Sequence, residues 1–336
     1  MPVTTTTNLE EPQSRLFVTR YGDIDPKQLR AELAERAATG QITTRDEQVM
    51  EYLRELHVLS LDHIHRLWWT GSTSRTAYNR LAVLKRYRLI SYARIPVNQM
   101  RLWNLAAGRV YALNLGGWMW LREDVNPDLV ARSLKREQIL HDLLASELCV
   151  RIIEATRLRG EAWQTTWVGE EAASYYERSG RDNQDKKTPP AIAPDGLAIV
   201  RRQQGKTVAA LPFFLEIDTG REAHGRPSSD WGRKVRRYDL FISDKWREHP
   251  QLADLPEFPA VAVVTHGAQR LLNLAHAIQQ HRKEPVSYYL ALWEDLITAP
   301  DILSAPAWMM LPADGKVLGQ ERDKRRALLP PVATEG

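Results

Sequence analysis

The stretch Leu211-Pro-Phe-Phe-Leu-Glu-Ile-Asp-Thr-Gly220 is an apolar run that ends in two carboxylates spaced two residues apart. Its composition predicts a buried strand, and residues two apart on a strand share one face. Glu216 and Asp218 therefore repel each other and are costly to bury unless a cation meets them. The stretch predicts either a cation-binding site or a structural ion pair with Arg221 or Lys234.

A third carboxylate, Asp195, opens an earlier strand-like segment that runs to Val200. If the two strands are neighbours in one sheet, Asp195 joins Glu216 and Asp218. Three converging carboxylates offer the hard oxygen ligands that Mg²⁺ and Mn²⁺ prefer. The pattern therefore predicts a divalent-metal site with these three ligands, and structural ion pairs remain the alternative.

The elements around these strands alternate in type. Between Asp128 and Thr265 the order is helix, three strands, helix and strand, which is typical of an α/β layer arrangement. The last of these strands, Pro259–Thr265, is apolar throughout and therefore suits a central position in a sheet. Lys234 and Tyr238 lie four residues apart on the preceding helix, so both side chains can face the carboxylates.

Three short helices and a strand pair are predicted before this region. The helices start near residues 43, 60 and 72, with a capping box at Thr44 and Glu47, and Gly71 turns the chain before the third. A strand follows over residues 89–95, and its return lies at 101–105 or at 110–113. This order predicts a winged helix-turn-helix.

The predicted winged helix is strongly basic. From His63 to Arg122 the chain has ten Lys and Arg residues and no Asp or Glu, although the whole chain carries only +4. This bias predicts a polyanion partner, most simply double-stranded DNA, and a protein-interaction module with a solvated charged face is the alternative. The expected DNA contacts come from the third helix and the wing. They are Arg75, Thr76, Asn79, Arg80 and Lys85 on the helix, with Arg94 and Arg101 in the wing.

Composition excludes several classes of protein. The single Cys149 rules out an intramolecular disulfide framework and a zinc site built from cysteines. No run approaches the roughly 18 apolar residues that span a bilayer, and the N-terminus lacks a signal pattern. We therefore expect a cytoplasmic protein that does not engage a membrane, and its 336 residues suggest two domains.

The order of these motifs resembles a known nuclease core. A helix bearing His141, then Pro194-Asp195-Gly196, then Phe214–Gly220, then the Lys234–Tyr238 helix resembles the PD-(D/E)XK nuclease superfamily. Together with the winged helix, the chain resembles the replication-relaxation family of plasmid and mobile-element proteins over about residues 43–281. The fold class implied is α+β or α/β, with a winged helix-turn-helix followed by a restriction-endonuclease-like α/β core that has a mixed sheet.

Composition, element order and the resemblance together give the expected domain boundaries. These are a flexible N-terminal segment at 1–42, a winged helix-turn-helix domain at 43–122, a nuclease-like domain at 128–312 and an exposed tail at 313–336. Asp25-Pro26 is expected to cap a short helix within the first segment.

The superfamily implies metal-dependent phosphodiester hydrolysis. Asp195 and Glu216 would hold Mg²⁺ or Mn²⁺, and the motif's lysine would position or activate water, with His141 and Tyr238 beside the site. This sequence departs from the motif, because Asp218 occupies the lysine position. Either Lys234 supplies the cation from the next helix, or Asp218 is a further metal ligand. If neither holds, the fold is inactive, needs no cofactor and is kept for binding.

The family implies a DNA-binding accessory role in replication, relaxation or mobilisation of plasmids or mobile elements. One alternative is an active Mg²⁺-dependent endonuclease targeted by its winged helix. Another is a winged-helix transcriptional regulator whose second domain only dimerises or senses a signal. The expected partners are double-stranded DNA, replication or relaxase proteins, and a second copy of the chain in a homodimer.

Overall fold

The computed structural model describes residues 15–16, 25–95, 103–105, 108–122, 134–176, 191–220, 230–244, 246–311 and 325–330. Over these residues the chain has a mixed α/β fold. Helices cover both faces of one large mixed sheet and pack around a small antiparallel sheet.

The helices are α1 (Pro26–Ala38), α2 (Thr44–Leu56), α3 (Leu61–Trp68), α4 (Ser74–Arg86), α5 (Leu115–Leu121), α6 (Arg136–Arg157), α7 (Glu170–Ala173), α8 (Asp230–Asp244), α9 (Ala268–His281) and α10 (Trp293–Thr298). The strands are β1 (Arg15–Leu16), β2 (Leu59–Ser60), β3 (Ile90–Arg94), β4 (Arg109–Leu113), β5 (Leu134–Lys135), β6 (Trp163–Gly169), β7 (Gly196–Gln204), β8 (Thr207–Asp218), β9 (Ala260–Thr265), β10 (Tyr288–Leu292), β11 (Trp308–Leu311) and β12 (Arg325–Arg326). A short 3₁₀ turn spans Trp246–Glu248.

Helices α2, α3 and α4 pack beside an antiparallel sheet of order β2-β4-β3. The capping box of α2 lies one residue earlier than predicted, because Thr43 caps the helix and exchanges hydrogen bonds with Asp46. Gly71 adopts φ +82° in the turn between α3 and α4, a left-handed conformation that favours glycine. The return strand of the hairpin is β4, the second of the two predicted positions.

The structure changes one predicted segment and adds a strand to the predicted tail. The segment 1–42 contains helix α1, whose Leu29 and Leu33 are buried and which packs against α5, so a flexible segment up to residue 42 is wrong over the described residues. The tail 313–336 contains β12, in which Arg325 pairs with Met309 of β11 and extends the sheet. In both places the described residues pack against, or pair with, elements that are distant in sequence.

The large sheet has the order β12-β11-β10-β9-β8-β7-β6. Strands β8, β9 and β10 are parallel to one another, and the remaining pairs are antiparallel. The predicted fully apolar strand is β9, which lies between β8 and β10 and is buried along nearly its whole length. Apolar side chains of α6 cover one face of the sheet, and those of α8 and α9 cover the other. This layering positions the ends of β7 and β8 between α6 and α8.

Helix α6 is the element that joins the small sheet to the large one. It spans Arg136–Arg157 in the region where the sequence predicts a helix from Asp128, and residues 128–133 lie outside the described part of the chain. It contacts α2, α3, β6 and β8, and its apolar residues belong to a core that runs from the N-terminal helices into the sheet.

Across the described ranges, no helix is both long enough and apolar enough to cross a bilayer.

Candidate functional site

Glu216 lies near the carboxyl end of β8 and is only 1% exposed. Its two oxygens accept hydrogen bonds from different groups of α8. The Lys234 ammonium donates to Oε2 at 2.7 Å, and the Tyr238 hydroxyl donates to Oε1 at 2.7 Å. Burial raises the pKa of Glu216 to about 7, and repulsion from Asp195 adds to this, although Lys234 and Tyr238 oppose it. The predicted pairing of Glu216 with Lys234 is therefore present.

Asp218 lies two residues further along β8 and is fully buried. The Arg270 guanidinium of α9 donates to both of its oxygens, from Nη2 at 2.6 Å and from Nε at 2.8 Å. Thr265 donates to Oδ2 at 2.7 Å, and the Trp231 indole lies 3.4 Å from Oδ1. Burial alone would raise the pKa of Asp218, but these hydrogen bonds, led by those of Arg270, lower it. Asp218 is thus the anionic half of a buried ion pair.

Asp195 precedes β7 and continues its ladder, since its amide donates to Leu215. Its Oδ2 accepts from the Ile217 amide at 2.5 Å and lies 3.3 Å from His141 Nε2 on α6. Burial would raise the pKa of Asp195, but the charge and hydrogen bond of His141 lower it. Conversely, burial would lower the pKa of His141, whereas Asp195 and Asp142 raise it to about 11. The two carboxylates therefore favour the protonated form of His141.

The cleft beside Asp195 is very small. Its volume is about 10 Å³, close to the space that one water molecule needs. Its side chains include several that are acidic or imidazole, namely Glu55, His57, His141, Asp142, Glu170 and Asp195. A DNA phosphodiester does not fit this space unless the surrounding side chains move.

The predicted metal ligands do not fit Mg²⁺ or Mn²⁺ in this arrangement. Both oxygens of Glu216 and both oxygens of Asp218 already accept hydrogen bonds from cations, hydroxyls or an indole. Within the part of the chain that the structure describes, no group of three or more His, Cys, Asp and Glu side chains could hold a metal ion. The three carboxylates lie at neighbouring strand ends, as expected, but each is neutralised by its own protein cation.

Sequence reasoning missed Arg270. It lies 52 residues from Asp218, and no spacing rule links a side chain on α9 to the end of β8. The sequence contained only an indirect signal, because a buried carboxylate requires a cation and Asp218 occupies the position that the resemblance to the nuclease motif assigns to a lysine.

The exposed face of α4 carries most of the predicted DNA contacts. Arg75, Thr76, Asn79 and Lys85 are exposed, and so is Arg86, which was not predicted as a contact. Residues 75, 79, 82 and 86 recur at helical spacing and share one side of α4. Arg75, Lys85 and Arg86 form no ion pair with any carboxylate among the described residues. This side of α4 is an uncompensated basic stripe.

Arg80 differs from the prediction that it contacts DNA. Its guanidinium donates to both oxygens of the fully buried Asp46, with Nε–Oδ1 at 2.8 Å, and to the Gln41 carbonyl at 2.7 Å. The physical reason is that Asp46, at the start of α2, needs a cation once it is buried. Arg80 therefore connects α4 to α2, and its Nε and Nη2 donors are committed to that contact.

The two predicted wing residues have different outcomes. Arg94 ends β3, is exposed and lies opposite Arg109 across the hairpin. Arg101 lies outside the described residues.

A second ion-pair network joins α3 to α6, and it was also missed. Arg66 donates to Glu147 at 2.8 Å and to Glu154 at 2.5 Å, while His63 Nε2 lies 2.9 Å from Glu147. Arg66 belongs to the block of ten basic residues, so acids far away in sequence neutralise part of that block. The basic charge that remains is concentrated on α4 and the hairpin.

The family comparison matches residues 50–254 to replication-relaxation, which is 205 of the 336 residues. This chain belongs to the replication-relaxation family. The matched range contains α4, Asp195, Glu216 and Lys234, whereas Arg270 lies beyond it. Membership of the replication-relaxation family connects the chain with replication and relaxation of mobile elements. A search of curated proteins and a search of solved structures each found no match.

Proposed function

We propose that this chain is a DNA-binding accessory protein for plasmid or mobile-element replication, relaxation or mobilisation, and that its nuclease-like centre does not cleave DNA. One contrast carries the proposal. The carboxylates of the centre are each neutralised by a protein cation, whereas the basic stripe of α4 faces outward without carboxylate partners among the described residues. Because each carboxylate is paired with a protein cation, none of the three is free to bind a metal ion for hydrolysis. The basic stripe of α4 offers a surface for a polyanion.

The helices and hairpin from α2 to β4 support the proposal that the chain binds DNA. Helices α2, α3 and α4 followed by the hairpin β3–β4 have the order of a winged helix-turn-helix, and Gly71 makes the turn before α4. In that motif the helix at the position of α4 enters the major groove, and the wing contacts the backbone or minor groove. We therefore assign Arg75, Thr76, Asn79 and Lys85 to the duplex, with Arg86 in place of Arg80.

The arrangement of β7, β8 and α8 supports descent from a PD-(D/E)XK nuclease. Asp195 and Glu216 lie at the ends of adjacent antiparallel strands, and α8 presents Lys234 to Glu216 at 2.7 Å. In an active enzyme these groups would face a metal ion and a phosphodiester. Here Asp218 replaces the motif's lysine and binds Arg270, which converts that corner of the site into a structural ion pair.

Two other functions remain as alternatives, and one observation bears on each of them. An active endonuclease is favoured by the position of Lys234, which meets Glu216 as a relocated motif lysine would. A transcriptional regulator would equally keep its carboxylates buried in pairs, and membership of the replication-relaxation family argues against that role.

The decisive experiment incubates the purified chain with supercoiled and linear plasmid in Mg²⁺, in Mn²⁺ and in chelator. We expect retarded but intact DNA in every lane, for the wild type and for Asp195→Ala and Glu216→Ala. Metal-dependent nicking that both substitutions abolish would instead establish an endonuclease. Absence of retardation under all conditions, including low salt, would remove the DNA-binding proposal.

A further inference from the structure

A groove of about 310 Å³ lies between α4 and the hairpin β3–β4. Tyrosines and cations dominate its lining, and those used below are Tyr78, Lys85, Arg86, Tyr92, Arg109 and Tyr111. Leu81 and Ala82 of α4 complete an apolar floor. The volume falls at the lower end of the range of about 300–1,000 Å³ that is typical of small-ligand pockets.

The cations of the groove lie against tyrosine rings. The Lys85 ammonium is 4.4 Å from the centroid of the Tyr92 ring. The Arg109 guanidinium is 4.4 Å from the centroid of Tyr78 and 5.5 Å from that of Tyr92. Neither Lys85 nor Arg109 pairs with a carboxylate among the residues that the structure describes. The groove thus combines aromatic surface with positive charge that has no carboxylate counter-ion among the described residues.

This combination selects a ligand with both a flat ring and a negative charge. A regular duplex offers only phosphates here, because its bases are paired and stacked, so the apolar floor would stay uncovered. An unpaired nucleotide offers a base for the tyrosines and a phosphate for the lysine and arginines, as in other single-strand binding surfaces. Tyr92 is 38% exposed, so its side chain reaches solvent beside Lys85 and Arg109.

We propose that this groove binds one unpaired nucleotide, with its base against Tyr92 and its phosphate against Lys85, Arg86 and Arg109. The inference rests on the proposed DNA-binding function and specifies the form of DNA. Because α4 supplies both the basic stripe and one wall of the groove, a duplex on α4 would place an adjacent extrahelical nucleotide in the groove. The preferred target is therefore a duplex with a locally unpaired base.

The test compares a perfect duplex with the same duplex carrying one extra, unpaired 2-aminopurine, by titration with the full chain. We expect tighter binding of the bulged duplex and a change in 2-aminopurine fluorescence. Tyr92→Ala should weaken binding of the bulged duplex by about 5- to 100-fold, the range for loss of one base–aromatic stack, and leave the perfect duplex unchanged. Tyr92→Phe should retain the preference, because the ring is kept.

Tyr176→Ala is the matched control, since Tyr176 is an exposed tyrosine outside the groove. Equal affinity for both duplexes, or equal loss of both in Tyr92→Ala, would overturn the inference and leave the proposed function intact. Failure of the wild type to bind the perfect duplex would instead count against the proposed function. Arg109→Gln is a second probe, since Arg109 lines the groove and is not among the residues assigned to the duplex, and it should reduce the preference for the bulge as well.

Discussion

Arg270 and Asp218 form a two-pronged ion pair that joins α9 to the end of β8. Asp218 stands where the resemblance to the nuclease motif would place a lysine, and Arg270 of α9 supplies a positive charge to it. The pair is largely buried, so its two charges depend on each other for compensation. This relationship explains how the strand end tolerates two carboxylates on one face.

Removing Arg270 alone should destabilise the fold strongly. Arg270→Met leaves the buried Asp218 carboxylate without its cation, and we expect a loss of about 3–5 kcal/mol in the free energy of unfolding. Adding Asp218→Asn removes the uncompensated charge and should recover much of that loss. Urea unfolding of the two variants beside the wild type measures both steps. A single variant as stable as the wild type would contradict the structural role of this pair.

Charge reversal on α4 should weaken DNA binding. Arg75→Glu with Arg86→Glu removes two cations that have no carboxylate partner among the described residues, so fewer counter-ions are released from the DNA. The slope of log affinity against log salt should flatten by about 2, and thermal stability should change little. Lys27→Glu on α1 is the control, since it makes the same type of charge change at an exposed position away from α4. Unaltered affinity in the α4 variant would exclude α4 from the interface.

Arg80→Ala should act on stability first. The substitution leaves buried Asp46 with hydrogen bonds from Thr43 but no cation, and we expect a loss of about 2 kcal/mol in unfolding free energy. Arg75→Ala, five residues earlier on the same helix, should lower DNA affinity without that loss. Chemical denaturation and DNA titration on both variants separate the two roles. If Arg80→Ala lowers DNA affinity with unchanged stability, the original expectation of a DNA contact returns.

Glu147 should make stability depend on pH on the acid side. Burial would raise its pKa, but His63 and Arg66 lower it to about 2, below the ordinary value of 4.5. A carboxylate with a lowered folded-state pKa stabilises the fold above the unfolded pKa, and this stabilisation disappears as pH falls from about 4.5 to 2.

The matching variant is Glu147→Gln, which cannot ionise at this position. It should lose about 3 kcal/mol at pH 7 and show a shallower decline in stability below pH 4.5. Urea midpoints at several pH values check the slope. A wild type and variant with parallel pH profiles would show that Glu147 does not carry this dependence.

The local parts of this protein followed from its sequence. The apolar run before Glu216 predicted β8, and the i, i+4 spacing of Lys234 and Tyr238 predicted a shared helix face, which the structure turns toward Glu216. The turn at Gly71 followed from the glycine, α3 followed from its Ser60 cap and apolar spacing, and α4 followed from apolar spacing. The assignment to the replication-relaxation family is confirmed. These features depend on backbone periodicity and on neighbours within a few residues, so they can be recognised along the chain.

Only the tertiary structure decided which charged side chains pair with another charge of the chain. Arg80 and Arg66 looked like part of one basic surface, yet each pairs with an acid on another helix. Asp218 looked like a metal ligand or the partner of a nearby cation, yet its partner is Arg270 on α9. A buried charge requires a partner of opposite charge, but the sequence pattern around it does not show which distant residue provides that partner. That choice depends on how helices and strands pack, and it determines where the chain remains able to bind an anion.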